Sequence, residues 1–229
     1  MDFVGKFRFI VLNLVTMILS LTVHECAHAW SAYRLGDKTA KDAGRLTLNP
    51  LVHIDPLGTL FFPTISVLMG GIGFLGWARP TPFRADKMRA GVNRRLGSAI
   101  VSAAGPLSNV FLAVLSAAIM ATLRRAHVSI EGANGEYTPV WVLLRTMLTL
   151  NVGLAVFNMF PFPPLDGHRL LPPIFDPILV PLQRYGFAIL FLLFMLSSSV
   201  PLARTIVETV FFGPIMWLTD HIMIAFGLS

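Results

Sequence analysis

The sequence has 229 residues, of which 55% are hydrophobic and only 13% are charged. Average globular chains carry about 25% charged residues, so this composition excludes an ordinary soluble domain, an intrinsically disordered chain and a coiled coil. The net charge of +6 fits basic loops beside apolar spans, and we expect no nucleic-acid partner because so apolar a chain has no soluble basic face. The composition therefore predicts an integral protein of a lipid bilayer.

Six apolar runs approach the roughly 20 residues that a helix needs to cross the hydrocarbon core. No small-residue cleavage site follows the first run, so we expect it to be retained as a helix. The second run differs because Pro63, Gly70, Gly71, Gly73 and Gly76 interrupt it, so it can cross the membrane or turn back as a re-entrant hairpin. The six runs lie at about 7–33, 57–78, 98–123, 140–160, 185–200 and 205–226.

The first run contains the sequence HECAH, which holds His24, Glu25 and His28. Residues four apart lie on one face of a helix, so both imidazoles can bind one metal ion while the glutamate lies beside the open coordination position. A zinc ion held in this way activates water, and the glutamate can take the proton. Ionisable side chains inside a membrane helix are costly, which favours a functional site over a packing role.

A third ligand is needed, because two imidazoles leave a catalytic zinc ion one protein ligand short. Asp166 follows the fourth apolar run, where Pro161, Pro163 and Pro164 end the helix. We predict that Asp166 is the third ligand. A capping role in the next turn is the alternative for this aspartate, and His168 is an alternative ligand.

The pairing of HECAH with NMFPFPPLDG resembles the site-2 proteases, which are intramembrane zinc metalloproteases. The motifs between them are similar to those of the compact prokaryotic branch, and the resemblance covers about residues 18–170. No PDZ-like insertion is present in the sequence. The linking motifs are AGRLTLNPLVHIDPLG at 43–58, GWARPTPF at 76–83 and AAGPLSN at 103–109.

The resemblance implies one zinc ion per chain, bound by His24, His28 and Asp166, with Glu25 as general base. It also implies that Asn158 holds substrate backbone or the developing oxyanion, for which an amide is a suitable donor.

Two further residues are weaker candidates for the site. Asn109 in AAGPLSN can face the site from the third run, and His53 can reach the zinc region from the loop at 34–56. For Asn109 and Asn158 the alternative is an interhelical hydrogen bond. A loop histidine is more often a polar surface contact.

The metal site constrains the topology, because His28 and Asp166 both lie near the C-terminal ends of their runs and must share a membrane side. This requires the run at 57–78 to return to the side from which it came. Twelve Lys and Arg residues then share the side of the site and five face the opposite side, whereas a crossing run divides them ten to seven. The positive-inside rule thus places the site toward the cytoplasm. The twelve are Arg34, Lys38, Lys41, Arg45, Arg79, Arg84, Lys87, Arg89, Arg94, Arg95, Arg169 and Arg184, and the five are Lys6, Arg8, Arg124, Arg125 and Arg204.

We therefore predict an all-α, multi-pass protein of the cell membrane, with about five to six transmembrane helices and a re-entrant or membrane-embedded hairpin after the first helix. Residues 1–229 form one integral membrane domain, with a catalytic core at about 7–170 and C-terminal helices at about 185–226. The predicted function is an intramembrane zinc metalloendopeptidase of regulated intramembrane proteolysis, which cleaves a transmembrane or membrane-adjacent segment of a membrane-protein substrate. The alternatives are an inactive, site-2-protease-like scaffold and a metal-binding or metal-transport membrane protein.

Overall fold

The structure is a computed structural model that describes residues 3–68, 76–132 and 137–228. Within these ranges the regular structure is helical, apart from a single bridge between Glu131 and Tyr137. Wider π-type turns at Pro56–Phe61 and Glu208–Phe212 precede α3 and join α7 to α8. The helices are α1 (Phe3–Arg34), α2 (Thr39–Asp42), α3 (Phe62–Leu68), α4 (Arg94–Arg125), α5 (Pro139–Met159), α6 (Asp176–Leu196), α7 (Pro201–Val207) and α8 (Gly213–Ala225).

The predicted all-α, multi-pass membrane architecture is confirmed. Among the described residues, four helices are long and apolar enough to cross a membrane. The number is lower than five or six, because the described part of the second apolar run holds short helices and the last run, formed by α7, the π-type turn and α8, is not one of the four. The helix predicted from residue 185 begins earlier, at Asp176, and ends at Leu196. The four helices cover Phe7–Arg34, Arg94–Arg125, Pro139–Met159 and Pro173–Leu196.

Helices α1, α4 and α5 pack against one another and form the centre of the molecule. Local capping fixes where two of them begin: the Asn93 side chain accepts hydrogen bonds from the first N–H groups of α4, and the Thr138 side chain does the same for α5. Small residues on α4 let the helices approach closely. The core at the end of α4 contains Ala113, Ala117, Met120, Ala121, Trp141, Leu148, Val152, Ile215 and Leu228.

Two hydrogen bonds identify the end of the bundle that lies away from the predicted site. The Arg8 guanidinium donates to the carbonyl of Tyr137 over 3.2 Å, and Arg124 donates to the carbonyl of Gly227 over 2.8 Å. The start of α1, the end of α4, the start of α5 and the end of α8 therefore lie together. The end of α1, the start of α4 and the end of α5 meet at the opposite end of the bundle.

The second apolar run returns beside its own beginning. The N–H of Trp77 donates to the carbonyl of Gly58 over 3.2 Å, and the Thr59 hydroxyl donates to the carbonyl of Trp77 over 2.8 Å. A Cβ atom on Gly58 would lie 2.5 Å from the Trp77 indole, so this close approach requires glycine. Gly70, Gly71 and Gly73 lie outside the described residues.

The helical part of this run, which comprises Pro56–Phe61 and Phe62–Leu68, is about 20 Å long. That length is less than the roughly 30 Å of a hydrocarbon core. Because its two ends also meet, the run behaves as a hairpin rather than as a crossing helix. This geometry is what the shared side of His28 and Asp166 requires.

The hairpin predicts which loops share a membrane side. We expect Lys41→Cys and Lys87→Cys, each made in a Cys26→Ser background, to react with an impermeant maleimide from one side, and His127→Cys from the other. All three positions are exposed. Labelling in sealed vesicles of known orientation measures this, and reaction of Lys41→Cys and Lys87→Cys from opposite sides would show that the run crosses.

Candidate metal centre

The structure brings His24, His28 and Asp166 together from the two ends of the catalytic core. The Nε2 atoms of the two histidines lie 3.0 Å apart on one face of α1. The Asp166 Oδ2 atom lies 3.2 Å from each of them. Among the described residues, His24, His28 and Asp166 form the one group of three or more His, Cys, Asp or Glu side chains that could hold a metal ion.

The spacing of the three donor atoms fits a zinc ion. Ligand atoms at two corners of a tetrahedron, each about 2.0–2.1 Å from zinc, are about 3.3 Å apart. Two histidines and one carboxylate also match a catalytic site, which keeps a fourth position open. The same donors can hold cobalt or iron, so the donor set alone does not distinguish zinc from those metals.

Backbone contacts prepare His28 for a metal ion. Its Nδ1 atom lies 2.7 Å from the carbonyl of Val101 on α4. A carbonyl can only accept, so Nδ1 carries a proton, and in the neutral imidazole the lone pair lies on Nε2, which faces Asp166. This arrangement is typical of metal-binding histidines, whose second nitrogen is held by a neighbouring group.

Gly105 on α4 gives the two histidines room for a shared ligand. A Cβ atom at this position would lie 2.4 Å from His28 Nε2 and 2.6 Å from His24 Nε2. Any side chain would therefore occupy the space into which the two nitrogen lone pairs point. Helix α4 thus leaves free space beside the two Nε2 atoms, and it also accepts the hydrogen bond from His28.

The turn that carries Asp166 is fixed to both α5 and α4. It follows Pro164 as the 3-10 turn Asp166–Leu170, and it packs against α4. Farther along, Arg95 at the start of α4 pairs with Asp176 over 3.1 Å and also donates to the carbonyl of Leu171. A metal ligand must be deprotonated, so the Asp166 carboxyl would bind zinc as the carboxylate.

Glu25 is held by Thr81, a residue that the sequence analysis did not single out. The Thr81 N–H donates to Glu25 Oε2 over 2.7 Å, and the Thr81 hydroxyl donates to the Glu25 backbone carbonyl over 3.1 Å. Among the described residues, Glu25 Oε1 has no hydrogen-bond partner. The only sequence signal for Thr81 was the motif GWARPTPF, which the resemblance marked as a linking segment.

The amides predicted to face a substrate lie in two different places. Asn158 lines the cavity beside the metal group, although its Nδ2 atom donates to the carbonyl of Leu154 over 3.0 Å. Asn109 is fully buried and is absent from the cavity wall. Its amide contacts His24 and Asn151, so it lies behind the histidine rather than beside a substrate.

The two other candidate histidines lie outside the metal group. His53 is 1% exposed, and its Nε2 atom lies 3.0 Å from the carbonyl of Thr47, so it belongs to the loop core before the hairpin. His168 bonds through Nδ1 to the carbonyl of Leu165 at 2.5 Å. Burial lowers the pKa of His168, so its imidazole is neutral at physiological pH.

A cavity of about 580 Å³ opens beside the metal group. The three candidate ligands and Glu25 form its polar end, and Thr81 and Asn158 line it nearby. The remaining wall is apolar, as expected for a binding cavity with a few polar groups at the reacting end. This wall includes Trp77, Phe157, Phe187, Leu190, Phe191 and Phe211.

The contact at Gly105 predicts that Gly105→Ala lowers the zinc content of the purified protein from one ion per chain to a small fraction of that. The added Cβ atom fills the space between the nitrogen atoms and the metal position, and elemental mass spectrometry measures the loss. Gly97→Ala is the matched control, because it lies on the same helix and its Cβ atom would meet the side chains of Met88 and Val92 rather than the histidines. Full zinc occupancy in Gly105→Ala would place the metal elsewhere.

Comparison with known proteins agrees with the geometry of this site. The sequence model of peptidase family M50 matches residues 12–138. The putative zinc metalloprotease YwhC of Bacillus subtilis is 37% identical over 189 residues, which are 79% of this chain and 78% of that protein. No solved structure matches the chain.

Two mycobacterial relatives carry the same description. The putative zinc metalloprotease Rip2 of Mycolicibacterium smegmatis is 33% identical over 199 residues, which are 84% of this chain and 69% of that protein. Rip2 of Mycobacterium tuberculosis is 31% identical over 216 residues, with coverage of 92% and 73%. The predicted resemblance and the predicted zinc cofactor are confirmed. The chain therefore belongs to peptidase family M50, the site-2 protease family, and it is a multi-pass membrane zinc metalloprotease.

Proposed function

We propose that this protein is an intramembrane endopeptidase that cleaves a membrane protein within or next to a transmembrane segment, in regulated intramembrane proteolysis. In this proposal His24, His28 and Asp166 bind the zinc ion, and Glu25 is the general base. The observation that carries it is the convergence of the three donor atoms within 3.2 Å of one another at the polar end of an apolar cavity.

A zinc ion in this group supplies a Lewis acid that activates water and polarises a carbonyl. Glu25 takes the proton of the attacking water at Oε1, the oxygen that Thr81 leaves free. It then delivers that proton to the nitrogen of the leaving chain. Asn158 lies in the cavity wall, where an amide N–H can hold the substrate backbone or the oxygen that becomes negative.

The depth of the site supports cleavage close to the membrane surface. Trp30 is 58% exposed, and the Arg34 guanidinium lies over its ring at 5.7 Å. Exposed tryptophan and arginine at the end of a membrane helix are typical of the interface with water. His28 lies six residues before Arg34, which places the metal position about 9 Å below it along α1.

An intact helix hides its peptide bonds, so a substrate must unwind locally before the water can attack. A site near the interface makes this easier, because water can satisfy some of the released backbone groups. The apolar wall of the cavity can meanwhile hold the side chains of the unwound segment. The substrate class is therefore a helical membrane segment that is cleaved near one end.

We also propose that the active site faces the cytoplasm. The hairpin places the loops at 34–56 and 79–97 on the side of the site, and together with the loop at 161–184 they carry most of the Lys and Arg residues. In intact cells, an impermeant maleimide should therefore reach His127→Cys but neither Lys41→Cys nor Lys87→Cys.

Glu25→Gln tests the proposed reaction. We expect cleavage of a tagged single-span membrane protein to fall by about 10²–10⁴-fold, because glutamine cannot take the proton of water. Zinc content should stay at one ion per chain, since the ligands are unchanged, whereas Asp166→Ala should lose zinc. Cleavage is followed by immunoblot of co-expressed substrate, and metal by elemental mass spectrometry.

The same experiment separates the alternatives. A scaffold or a metal transporter would give no cleavage product with the unaltered protein across a panel of single-span membrane proteins. If the zinc content of Asp166→Ala equals that of the unaltered protein, Asp166 is not a zinc ligand. Cleavage that persists in Glu25→Gln would exclude this glutamate as the general base.

The hydrogen bond from the Thr81 N–H to Glu25 gives a second prediction. Thr81→Pro removes the N–H that donates to Oε2, so we expect kcat to fall by about 10- to 100-fold while zinc content is unchanged. Thr81→Ala is the matched control, because it keeps that N–H and loses only the hydroxyl bond, which is worth about 1 kcal/mol. Equal losses in the two variants would mean that the backbone donor does not position the base.

A further inference from the structure

A chain of buried polar side chains lies behind His24 and joins the three central helices. The Nδ1 atom of His24 lies 2.6 Å from Asn109 Oδ1, and Asn109 Nδ2 donates to Asn151 Oδ1 over 2.8 Å. Asn151 Nδ2 in turn donates to the Ser20 hydroxyl and to the carbonyl of Met147, each over 2.8 Å. Ser20, Asn109 and Asn151 are fully buried, and none of them lines the cavity.

The backbone carbonyl of Met147 fixes which atom donates and which accepts in each hydrogen bond between Asn151 and His24. A carbonyl can only accept, so the Asn151 atom that faces it must be the NH₂ group. The carbonyl oxygen of Asn151 then faces Asn109 and can only accept. Asn109 must therefore turn its NH₂ group toward Asn151 and its oxygen toward His24.

An oxygen facing Nδ1 decides which ring nitrogen of His24 carries the proton. Nδ1 must donate to Asn109 Oδ1, so in the neutral imidazole the lone pair lies on Nε2, the atom that is 3.2 Å from Asp166 Oδ2. If Asn109 were rotated by half a turn, its NH₂ group would require the opposite tautomer. Nε2 would then carry a hydrogen and could not bind a metal ion.

The two histidines differ in how their tautomers are set. The proton on His28 Nδ1 is held by the backbone carbonyl of Val101, which no substitution of a side chain can remove. The proton on His24 Nδ1 depends on Asn109, and the orientation of Asn109 depends on Asn151. His24 is thus the ligand whose state is controlled by side chains on other helices.

We propose that Asn109 and Asn151 are positioning residues that keep His24 in the tautomer that binds zinc, Asn151 acting only through Asn109. This inference rests on the proposed zinc role of His24. It assigns Asn109 a task different from contact with substrate, and it adds Asn151 to the residues on which the site depends.

Zinc affinity tests the proposal without any substrate. Competition with a chelator of known affinity should show that Asn109→Leu and Asn151→Leu each raise the zinc Kd by about 10- to 100-fold. Asn13→Leu is the matched control, because it makes the same change at a buried position of α1 about 16 Å before His24 and should leave the Kd unchanged. Circular dichroism and gel filtration verify that each variant is folded.

Asn109→Asp distinguishes hydrogen-bond direction from packing. A carboxyl group presents an oxygen to His24 whichever way it is rotated, and in its protonated form its hydroxyl replaces the amide as donor to Asn151 Oδ1. This variant should therefore stay within a few-fold of the unaltered Kd. Its Co²⁺ form should also keep the visible absorption spectrum of the unaltered protein, whereas that of Asn109→Leu should change. An Asp variant as weak as the Leu variant would overturn the proposal, because it would show that packing and not an acceptor is required.

The double variant tests whether Asn151 acts through Asn109. Adding Asn151→Leu to Asn109→Leu should not weaken zinc binding further, whereas two independent packing defects would multiply. If the losses of zinc affinity multiply in the double variant, or if the single variants bind zinc as tightly as the unaltered protein, the role of Asn109 and Asn151 is wrong but the proposed metal site is not affected. A His24→Ala variant with unchanged zinc affinity would overturn the proposed metal site as well.

Discussion

The structure depends on one requirement, that three candidate metal-binding atoms from two distant segments meet within 3.2 Å of one another. His24 and His28 are fixed to each other by helix geometry, but Asp166 can reach them only if α5 ends at the level where α1 ends. With α4 running back between them, the chain from α1 to α4 must begin and end on one side. The hairpin that pairs Trp77 with Gly58 satisfies this condition, and it brings Thr81 to Glu25 on its way to α4. Topology and catalytic geometry are thus consequences of the same constraint.

Buried polar groups at the site are costly unless each has a partner, and α4 and the hairpin return supply these partners. His28 is held by a backbone carbonyl, His24 by Asn109, and Glu25 by the Thr81 N–H. The groups that hold the reacting atoms therefore lie on α1, α4 and the hairpin return, which are packed against one another. The aromatic wall of the cavity comes in large part from α6, the most exposed of the four spans, with 17% of its apolar window buried against 39–44% for the others. The proposed reacting groups thus lie on the tightly packed part of the molecule, and the apolar cavity wall belongs largely to the less tightly packed part.

Much of this arrangement could be predicted from the sequence, because its signals are local. The spacing of HECAH places two imidazoles on one helix face, and the need for a third ligand directed attention to Asp166 after the prolines. The hairpin followed from the shared side of those residues. Thr81, Asn151 and Gly105 could not be predicted in this way, because their roles arise from contacts between segments that are 42 or more residues apart and carry no periodic pattern. Asn109 was recognised as a candidate, but a motif does not tell whether an amide faces the substrate or the back of a ligand.

The position of the site along α1 has a physical reason in the proposed cleavage of a membrane segment. Cleavage requires an extended peptide, whose N–H and C=O groups lose their helical partners, and each such group costs several kcal/mol in hydrocarbon. Near the interface that Trp30 and Arg34 indicate, water and the polar end of the cavity can replace some of those partners. A metal site at the bilayer centre would have to supply all of them from protein. A site about 9 Å below Arg34 instead has an apolar environment, which strengthens electrostatic interactions around the metal. It also remains accessible to the water that the reaction consumes.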